Sequence, residues 1–238
     1  MPIKGIPLLA YWLDLLSRAG VERILINGHH HADRVRSFLE MPRYAGRVEF
    51  VYEPELLGTA ATLRQNADFF GDQHVLLAHA DNLLGVALDP FVDYHLNIRP
   101  LDTALTMMTF DTSHPQSCGI VESDERGVVR QFYEKVPEPP GRRANGAVYL
   151  LSPTVTNWVS RQRKVTDFST QVIPHYLGKI ATWHNERTHR DIGTIASLIS
   201  AQSGIVSRPV VPELVNWRYW PEFEQLSRAV SQIPHEAG

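Results

Sequence analysis

Four short segments of the chain contain residues that could act on a phosphate group or a sugar. Their side chains include carboxylates, which bind divalent metal ions, a lysine, which binds phosphate, and a glycine, which lets a ligand approach the backbone. Each segment alone is a weak signal. All four, in this order and at this spacing, predict phosphate and sugar chemistry. In chain order the segments span 53–60, 79–82, 132–135 and 190–194.

Two aspartates are candidate ligands for a metal ion. Asp81 closely follows the apolar run Val75–Ala78, which predicts a strand buried on both faces. Ligands of open α/β sheets bind at the carboxyl ends of strands, where a carboxylate can hold Mg²⁺. Asp191 precedes a predicted helix over 195–202 and could be a second ligand. On the residues alone, a turn is the favoured role for Asp81 and Asn82, and a helix N-cap explains Asp191 as well as a metal ligand does.

Glu134 and Lys135 end a predicted strand and are candidates for binding a phosphorylated sugar. Lysine is a point charge that suits phosphate, and glutamate accepts hydrogen bonds from sugar hydroxyls. An ordinary surface ion pair explains the same two residues. Asn145 precedes another predicted strand, where its amide could meet a sugar hydroxyl or form only a turn with Gly146.

The start of the predicted helix at Thr59 is a candidate for binding a nucleotide base. Gly58 allows the backbone to approach a flat ligand closely. The amides at a helix N-terminus favour anions or ring acceptors. A helix start without any ligand explains these residues nearly as well.

The elements that must position these residues change character along the chain. The first part alternates strand and helix, which is typical of an α/β domain with a largely parallel sheet. After Pro100 the predicted strands follow one another with little helix between them, which indicates a more antiparallel half. The predicted strands span 22–27, 47–52, 75–78, 103–110, 118–122, 128–134 and 147–151, and the predicted helices span 7–19, 32–40, 59–70 and 195–202.

Composition limits the class of protein. A formal net charge of -3 argues against a general nucleic-acid binder, and no apolar run approaches the length of a membrane span. The single cysteine, Cys118, rules out an internal disulfide framework, and the first residues lack a signal-peptide pattern. We therefore expect a cytoplasmic protein without nucleic-acid or membrane partners. We expect one domain over 1–204 and an appendage over 205–238, which packs on the domain or forms a homo-oligomer contact.

Together, the four segments resemble the sugar-1-phosphate nucleotidyltransferase family, and most of all its mannose-1-phosphate and heptose-1-phosphate guanylyltransferases. The resemblance runs from Pro2 to about Gln202 and includes 145–149 and 167–170. It implies a Rossmann-like (GT-A-like) three-layer α/β domain with a mixed, mostly parallel sheet. It also implies Mg²⁺-dependent transfer of a nucleotidyl group from a nucleoside triphosphate, here expected to be GTP, to a sugar 1-phosphate, with release of pyrophosphate.

The resemblance also implies a role for each candidate residue. Asp81 and Asp191 would be the Mg²⁺ ligands and, with Lys135, the catalytic residues. Glu134 would bind the sugar, together with Lys135 at its phosphate. The other implied substrate-binding residues are Glu53, Leu57, Gly58, Thr59, Ala60, Asn82, Gly119 and Asn145.

The resemblance breaks at the first residue. The family has a strand, a loop with Gly-x-Gly-Thr-Arg and a Lys-Pro pair ahead of the segment that begins here at Met1. We therefore expect a sheet that lacks its first strand, with a gap or two unpartnered edges, and weak or no turnover by this chain. Three explanations are open: a fragment of an enzyme, an inactive relative that binds sugar phosphate or nucleotide or has a regulatory role, and a chain complemented by another that donates the strand.

Overall fold

The computed structural model describes residues 1–203 and 221–232, and these form parts of two compact units. The expected boundary at residue 204 and most of the expected appendage lie outside the described residues, so this division stays a prediction. No described helix is both long and apolar enough to cross a bilayer. The first unit comprises Met1–Val21, His79–Asp89 and Asn185–Gly238, and the second comprises Glu22–Ala78 and Pro90–His184.

Strands and helices alternate in the first part of the chain, and strands dominate the middle, as the sequence predicts. The described strands are β1 Pro2–Ile3, β2 Ile6–Pro7, β3 Ile24–Gly28, β4 Val48–Tyr52, β5 Val75–Ala78, β6 Asn82–Leu84, β7 Leu105–Asp111, β8 Gly119–Ser123, β9 Val129–Glu134, β10 Arg143–Leu151, β11 Ile180–His184 and β12 His189–Asp191. The described α-helices are α1 Leu8–Arg18, α2 Ala32–Leu39, α3 Thr59–Gln65, α4 Ala67–Phe70, α5 Asp89–Asp93, α6 Pro153–Arg161, α7 Ile173–His175, α8 Ile195–Ser203 and α9 Pro221–Gln232.

The first unit places a small antiparallel ladder over an apolar core. Strands β12 and β6 pair so that Asp191 lies opposite Asn82. Leu83 and Ile192, one on each segment of this ladder, are buried in the same cluster as Leu8 of α1. Burial of these apolar side chains fixes the register, because a slip of one residue would turn them to the other face.

The second unit is built around a mixed sheet centred on β10. Its order is β11-β7-β10-β8-β9, and β5 also pairs with β10. Strand β10 is antiparallel to β5, β7 and β8, whereas β7 and β11 are parallel. Leu105, Met107, Tyr149 and Leu151 of these strands are almost fully buried. The expectation of an α/β domain whose second half is more antiparallel is confirmed.

Strands β3 and β5 of the second unit each have one edge without a strand partner among the described residues. Strands β3 and β4 form a separate parallel pair, and β5 is bonded only to β10. The half-exposed residues of β3 and β5 agree with this: Leu25, Ile26, Leu76 and Leu77 are only partly buried. The free edges of β3 and β5 are compatible with the sheet expected from the sequence, and the absence of a first strand stays a prediction.

The predicted helix over 59–70 is wrong in its middle. It divides into α3 and α4 at Asn66, where the backbone leaves the helical region with φ of −107° and ψ of 24°, and the Asn66 side-chain amide donates to the Thr62 carbonyl at 2.8 Å. Such side-chain bonds compete with the helical ladder. Strand β10 also begins at Arg143, four residues earlier than predicted, and β11, β12 and α6 were not predicted.

Candidate functional site

The first unit brings the two candidate metal ligands, Asp81 and Asp191, to neighbouring positions. The backbone amide of Ile192 donates to the Asp81 carbonyl at 3.0 Å, which continues the β6–β12 ladder past Asn82. Both aspartates are exposed. Within the described residues no group of three or more His, Cys, Asp or Glu side chains could enclose a metal. Two carboxylates fit Mg²⁺, which keeps water or substrate phosphates as its other ligands.

The helix cap proposed as the alternative role for Asp191 is wrong. The cap of α8 is Thr194, whose Oγ1 accepts the Ser197 amide at 3.1 Å, while the Thr194 amide donates to the Ser197 hydroxyl at 3.1 Å. Asp191 Oδ1 instead lies 3.0 Å from the position that a Cβ atom on Gly193 would occupy. The carboxylate of Asp191 is therefore not used by the helix start.

Asn82 and its neighbours form the turn that the sequence allowed. The Asn82 amide donates to the His79 carbonyl at 3.2 Å, and the Asn82 carbonyl accepts the Trp12 indole N–H at 2.8 Å. Asn82 is buried, with 5% of its surface exposed. The turn holds Asp81 out from the surface, which is compatible with metal binding. Substrate binding by Asn82 stays a prediction.

Glu134 and Lys135 lie together at the end of β9 in the second unit. The Lys135 ammonium is 3.9 Å from Glu134 Oε1, so the ion pair is loose. Burial raises the pKa of the Glu134 carboxyl, Lys135 opposes that shift, and the negative charge of Asp167 adds to it. Lys135 itself has a left-handed backbone, with φ of 51°. The side chain of Lys135 is exposed, and that of Glu134 is partly buried.

Gly119 lies opposite Glu134 in the β8–β9 ladder and leaves room for its side chain. A Cβ at Gly119 would stand 2.7 Å from Glu134 Oε2 and 2.5 Å from the Phe132 ring. Real Cβ atoms do not approach other heavy atoms this closely. Gly119 is therefore necessary for the observed position of the Glu134 carboxylate, whether or not it also contacts a ligand.

Asn145 is held in a bulge of β10 by its own strand. The register with β7 shifts between Asn145 and Tyr149, and Ala147 inside the bulge has φ of 51°. The Asn145 side chain accepts the Ala147 amide at 3.0 Å and donates to the Tyr149 hydroxyl at 2.7 Å. The Tyr149 hydroxyl also bonds Ser169. Sequence reasoning assigned no role to Tyr149 or Ser169, although both lie in segments that carry the family resemblance.

Glu53 is buried and hydrogen-bonded to the protein. Its Oε1 atom accepts the Thr62 hydroxyl at 2.6 Å and the Asn27 amide at 3.2 Å, while Oε2 accepts the Leu57 amide at 3.3 Å. These bonds tie the loop before α3 to β3 and to the helix itself. Only 3% of the Glu53 surface is exposed. The predicted contact of Glu53 with substrate stays a prediction.

The start of α3 differs from the open helix N-terminus that the sequence suggested. The Thr166 carbonyl accepts the amides of Ala60 and Ala61 at 2.9 and 3.1 Å. The Thr59 hydroxyl accepts the Phe168 amide at 3.1 Å. The amide of Ala60 is therefore already engaged, because another loop of the unit caps the helix. The predicted base contacts of residues 57–60 stay predictions.

Comparison with known protein families finds a match over most of the chain. A family model described as nucleotidyl transferase matches residues 1–208. The mannose-1-phosphate guanylyltransferase of Mycobacterium tuberculosis is 24% identical over 217 residues, which are 89% of this chain and 59% of the relative. The glucose-1-phosphate adenylyltransferase of Thermotoga neapolitana is 27% identical over 204 residues, which are 79% of this chain and 47% of the relative. The chain thus spans about half the length of the curated relatives it matches.

Solved structures share the fold. A Bacillus anthracis protein crystallised with sucrose superposes with a TM-score of 0.75 at 18% identity, covering 88% of both chains. HddC from Yersinia pseudotuberculosis superposes with a TM-score of 0.69 at 19% identity, covering 85% of this chain and 87% of its own. At these identities the likeness supports the α/β fold alone.

Proposed function

The chain belongs to the nucleotidyl transferase family, and we propose that it transfers a nucleotidyl group from a nucleoside triphosphate to a sugar 1-phosphate. The observation that carries this proposal is the backbone bond between Ile192 and Asp81, which makes Asp191 on β12 and Asp81 in the turn before β6 near neighbours in the first unit. Two exposed carboxylates on adjacent segments, neither used to cap a helix, suit a divalent cation that also binds phosphate. The partly buried Glu134 and the exposed Lys135 of the second unit suit a phosphorylated sugar.

The reaction is a substitution at the α-phosphorus of the triphosphate. An oxygen of the sugar phosphate forms a new bond to that phosphorus, and the bond to the bridging oxygen breaks, so that pyrophosphate leaves with the electron pair. Mg²⁺ held by Asp81 and Asp191 would neutralise charge on the phosphates. Lys135 would orient the sugar phosphate and offset its charge, and Glu134 would accept hydrogen bonds from sugar hydroxyls. Catalysis is then positioning and charge neutralisation, without a covalent enzyme intermediate.

GTP is the donor that we propose, because residues 57–60 resemble the base-binding segment of the guanylyltransferases. The similarity to the guanylyltransferase of Mycobacterium tuberculosis is in keeping with this choice. A cytoplasmic location and self-association stay predictions.

Pyrophosphate release tests the proposal. The purified chain is assayed with Mg²⁺, each of the four triphosphates, and mannose-, heptose- or glucose-1-phosphate. We expect weak turnover at most with GTP and one sugar phosphate, and a further loss on the order of 10²–10³ in kcat when Asp191→Asn or Asp81→Asn removes charge from the cation site. Asp68→Asn, at an exposed carboxylate of α4, is the matched control and should leave the rate unchanged.

Two outcomes would count against this function. Equal rates for Asp191→Asn and Asp68→Asn would show that Asp191 is not needed for catalysis, and this would exclude the proposed cation site. Binding of GTP and sugar phosphate by the folded chain, without any pyrophosphate release, would instead support the binding or regulatory relative.

A further inference from the structure

The hydroxyl of Tyr149 joins the bulge of β10 to a second segment of the same unit. It accepts the Asn145 side-chain amide at 2.7 Å and bonds Ser169, which follows the loop at Asp167. The Tyr149 ring packs on Phe168, with ring centroids 4.7 Å apart, and only 1% of the residue is exposed. A buried hydroxyl between two polar side chains can hold both of them in place.

The bonds of Asn145 determine which way its amide faces. Its Oδ1 accepts the Ala147 amide at 3.0 Å, so a flipped side chain would set two N–H donors against each other. In the observed orientation one N–H points to Tyr149, which leaves one N–H and one oxygen lone pair unused. Asn145 as a whole is only partly buried.

We propose that Tyr149 is a positioning residue for the sugar subsite and acts through Asn145. A sugar hydroxyl can donate and accept a hydrogen bond at the same time. An amide side chain can therefore select a hydroxyl at one position only if the N–H donor and the oxygen of the amide are held in a fixed orientation. Tyr149 holds the donor end of the Asn145 side chain, and the bulge holds the acceptor end. This inference rests on the proposed function and on the role of Asn145 in sugar binding that the family resemblance implies.

The polar groups around Tyr149 strengthen the geometric argument. Burial raises the pKa of the Tyr149 hydroxyl, so it stays protonated and neutral at working pH. Glu134 and Asp167 are close enough to add to that shift. Glu134 is one of the residues that the proposed function assigns to the sugar, whereas Tyr149 itself is too buried to touch a ligand.

The test is a kinetic comparison of Tyr149→Phe with the wild-type chain. Phenylalanine keeps the packing on Phe168 and removes only the hydroxyl. We expect a rise of about fivefold in KM for the sugar 1-phosphate, the effect of one neutral hydrogen bond, with KM for the triphosphate unchanged. Tyr176→Phe removes a hydroxyl from another buried tyrosine of the same core and should change neither constant.

A double-mutant cycle shows whether Tyr149 acts through Asn145. If it does, Tyr149→Phe adds nothing to KM for the sugar phosphate once Asn145→Ala is present. Three results would overturn this inference but leave the proposed function standing, provided that the wild-type chain turns over. They are additive effects of the two substitutions, equal changes in KM for both substrates, and an unchanged KM for the sugar phosphate in Tyr149→Phe. A wild-type chain with no turnover on any substrate pair would overturn the proposed function, and this inference with it.

Discussion

Replacing Gly58 with alanine should destabilise the protein far more than an ordinary glycine substitution. Gly58 has φ of 88° and ψ of 151°, in a region of backbone conformation that is essentially reserved for glycine. A Cβ there would stand 2.5 Å from the Thr166 carbonyl oxygen, a backbone atom that cannot rotate away. That oxygen accepts the amides of Ala60 and Ala61, so moving it also weakens the cap of α3.

The magnitude follows from these two effects. The backbone strain of alanine at such a φ and ψ costs about 1–3 kcal/mol. Displacing Thr166 weakens two hydrogen bonds, each with a net contribution of about 1 kcal/mol. We therefore expect Gly58→Ala to lower the free energy of unfolding by roughly 3–5 kcal/mol.

Gly46→Ala is the matched control for urea unfolding measurements. Gly46 has φ of 76°, but no heavy atom lies within 4 Å of the place where a Cβ would stand, so alanine there adds strain without a clash. Its expected loss is about 1–2 kcal/mol. If Gly58→Ala proved as mild as Gly46→Ala, Thr166 would not be a fixed neighbour, and the capping of α3 by that loop would be refuted.

Two further predictions concern titratable groups. Because the pKa of Glu134 is raised in the folded protein, folding takes up a proton, and stability is lost as pH rises above the ordinary value of 4.5. Glu134→Gln should therefore gain in Tm relative to wild type between pH 4 and pH 7 while losing sugar-phosphate affinity; a Tm difference independent of pH would contradict this. Burial, then Arg99 and His74, lower the pKa of His95 to about 3, so its contribution to stability is present above the ordinary value of 6.5 and is lost as pH falls towards 3. His95→Asn should flatten the fall in unfolding free energy below pH 6.5 by up to about 1.4 kcal/mol per pH unit, as measured by urea titration, and an unchanged slope would exclude His95 as its source.

Local patterns predicted the regular elements well because the cause of each lies within a few residues. Strand β5 has the predicted bounds, and α1 ends before Gly20, whose φ of 74° suits a helix terminus. The division at Asn66 was missed because it is a change of backbone angles at one residue, which does not interrupt the apolar pattern of the helix. Short strands such as β12 were missed because three residues carry too little periodicity to be recognised.

The candidate site was predictable in residue type but not in arrangement. Asp81 and Asp191 are identified by their chemistry and by family resemblance, yet their meeting depends on the register of β6 with β12 across more than 100 residues. The capping of α3 by Thr166 is similarly non-local, and nothing in residues 57–60 reveals it. Contacts of this kind are set by the burial of distant apolar residues, which a single sequence does not pair.

The proposed sugar subsite is also where the backbone departs from ordinary geometry. Lys135 and Ala147 both have left-handed φ of 51°, which costs about 1–2 kcal/mol for a residue with a Cβ. Each is held by a specific bond: the Lys135 amide donates to the Cys118 carbonyl at 3.2 Å, and the Ala147 amide donates to Asn145 Oδ1 at 3.0 Å. These two bonds would not be needed to hold the backbone if β9 ended in an ordinary turn and β10 continued without a bulge. Strain that is stabilised in this way is found at sites where side chains must be aimed, and it agrees with the roles that the family resemblance implies for Lys135 and Asn145, although Lys4 and His31 share the positive φ without such a role.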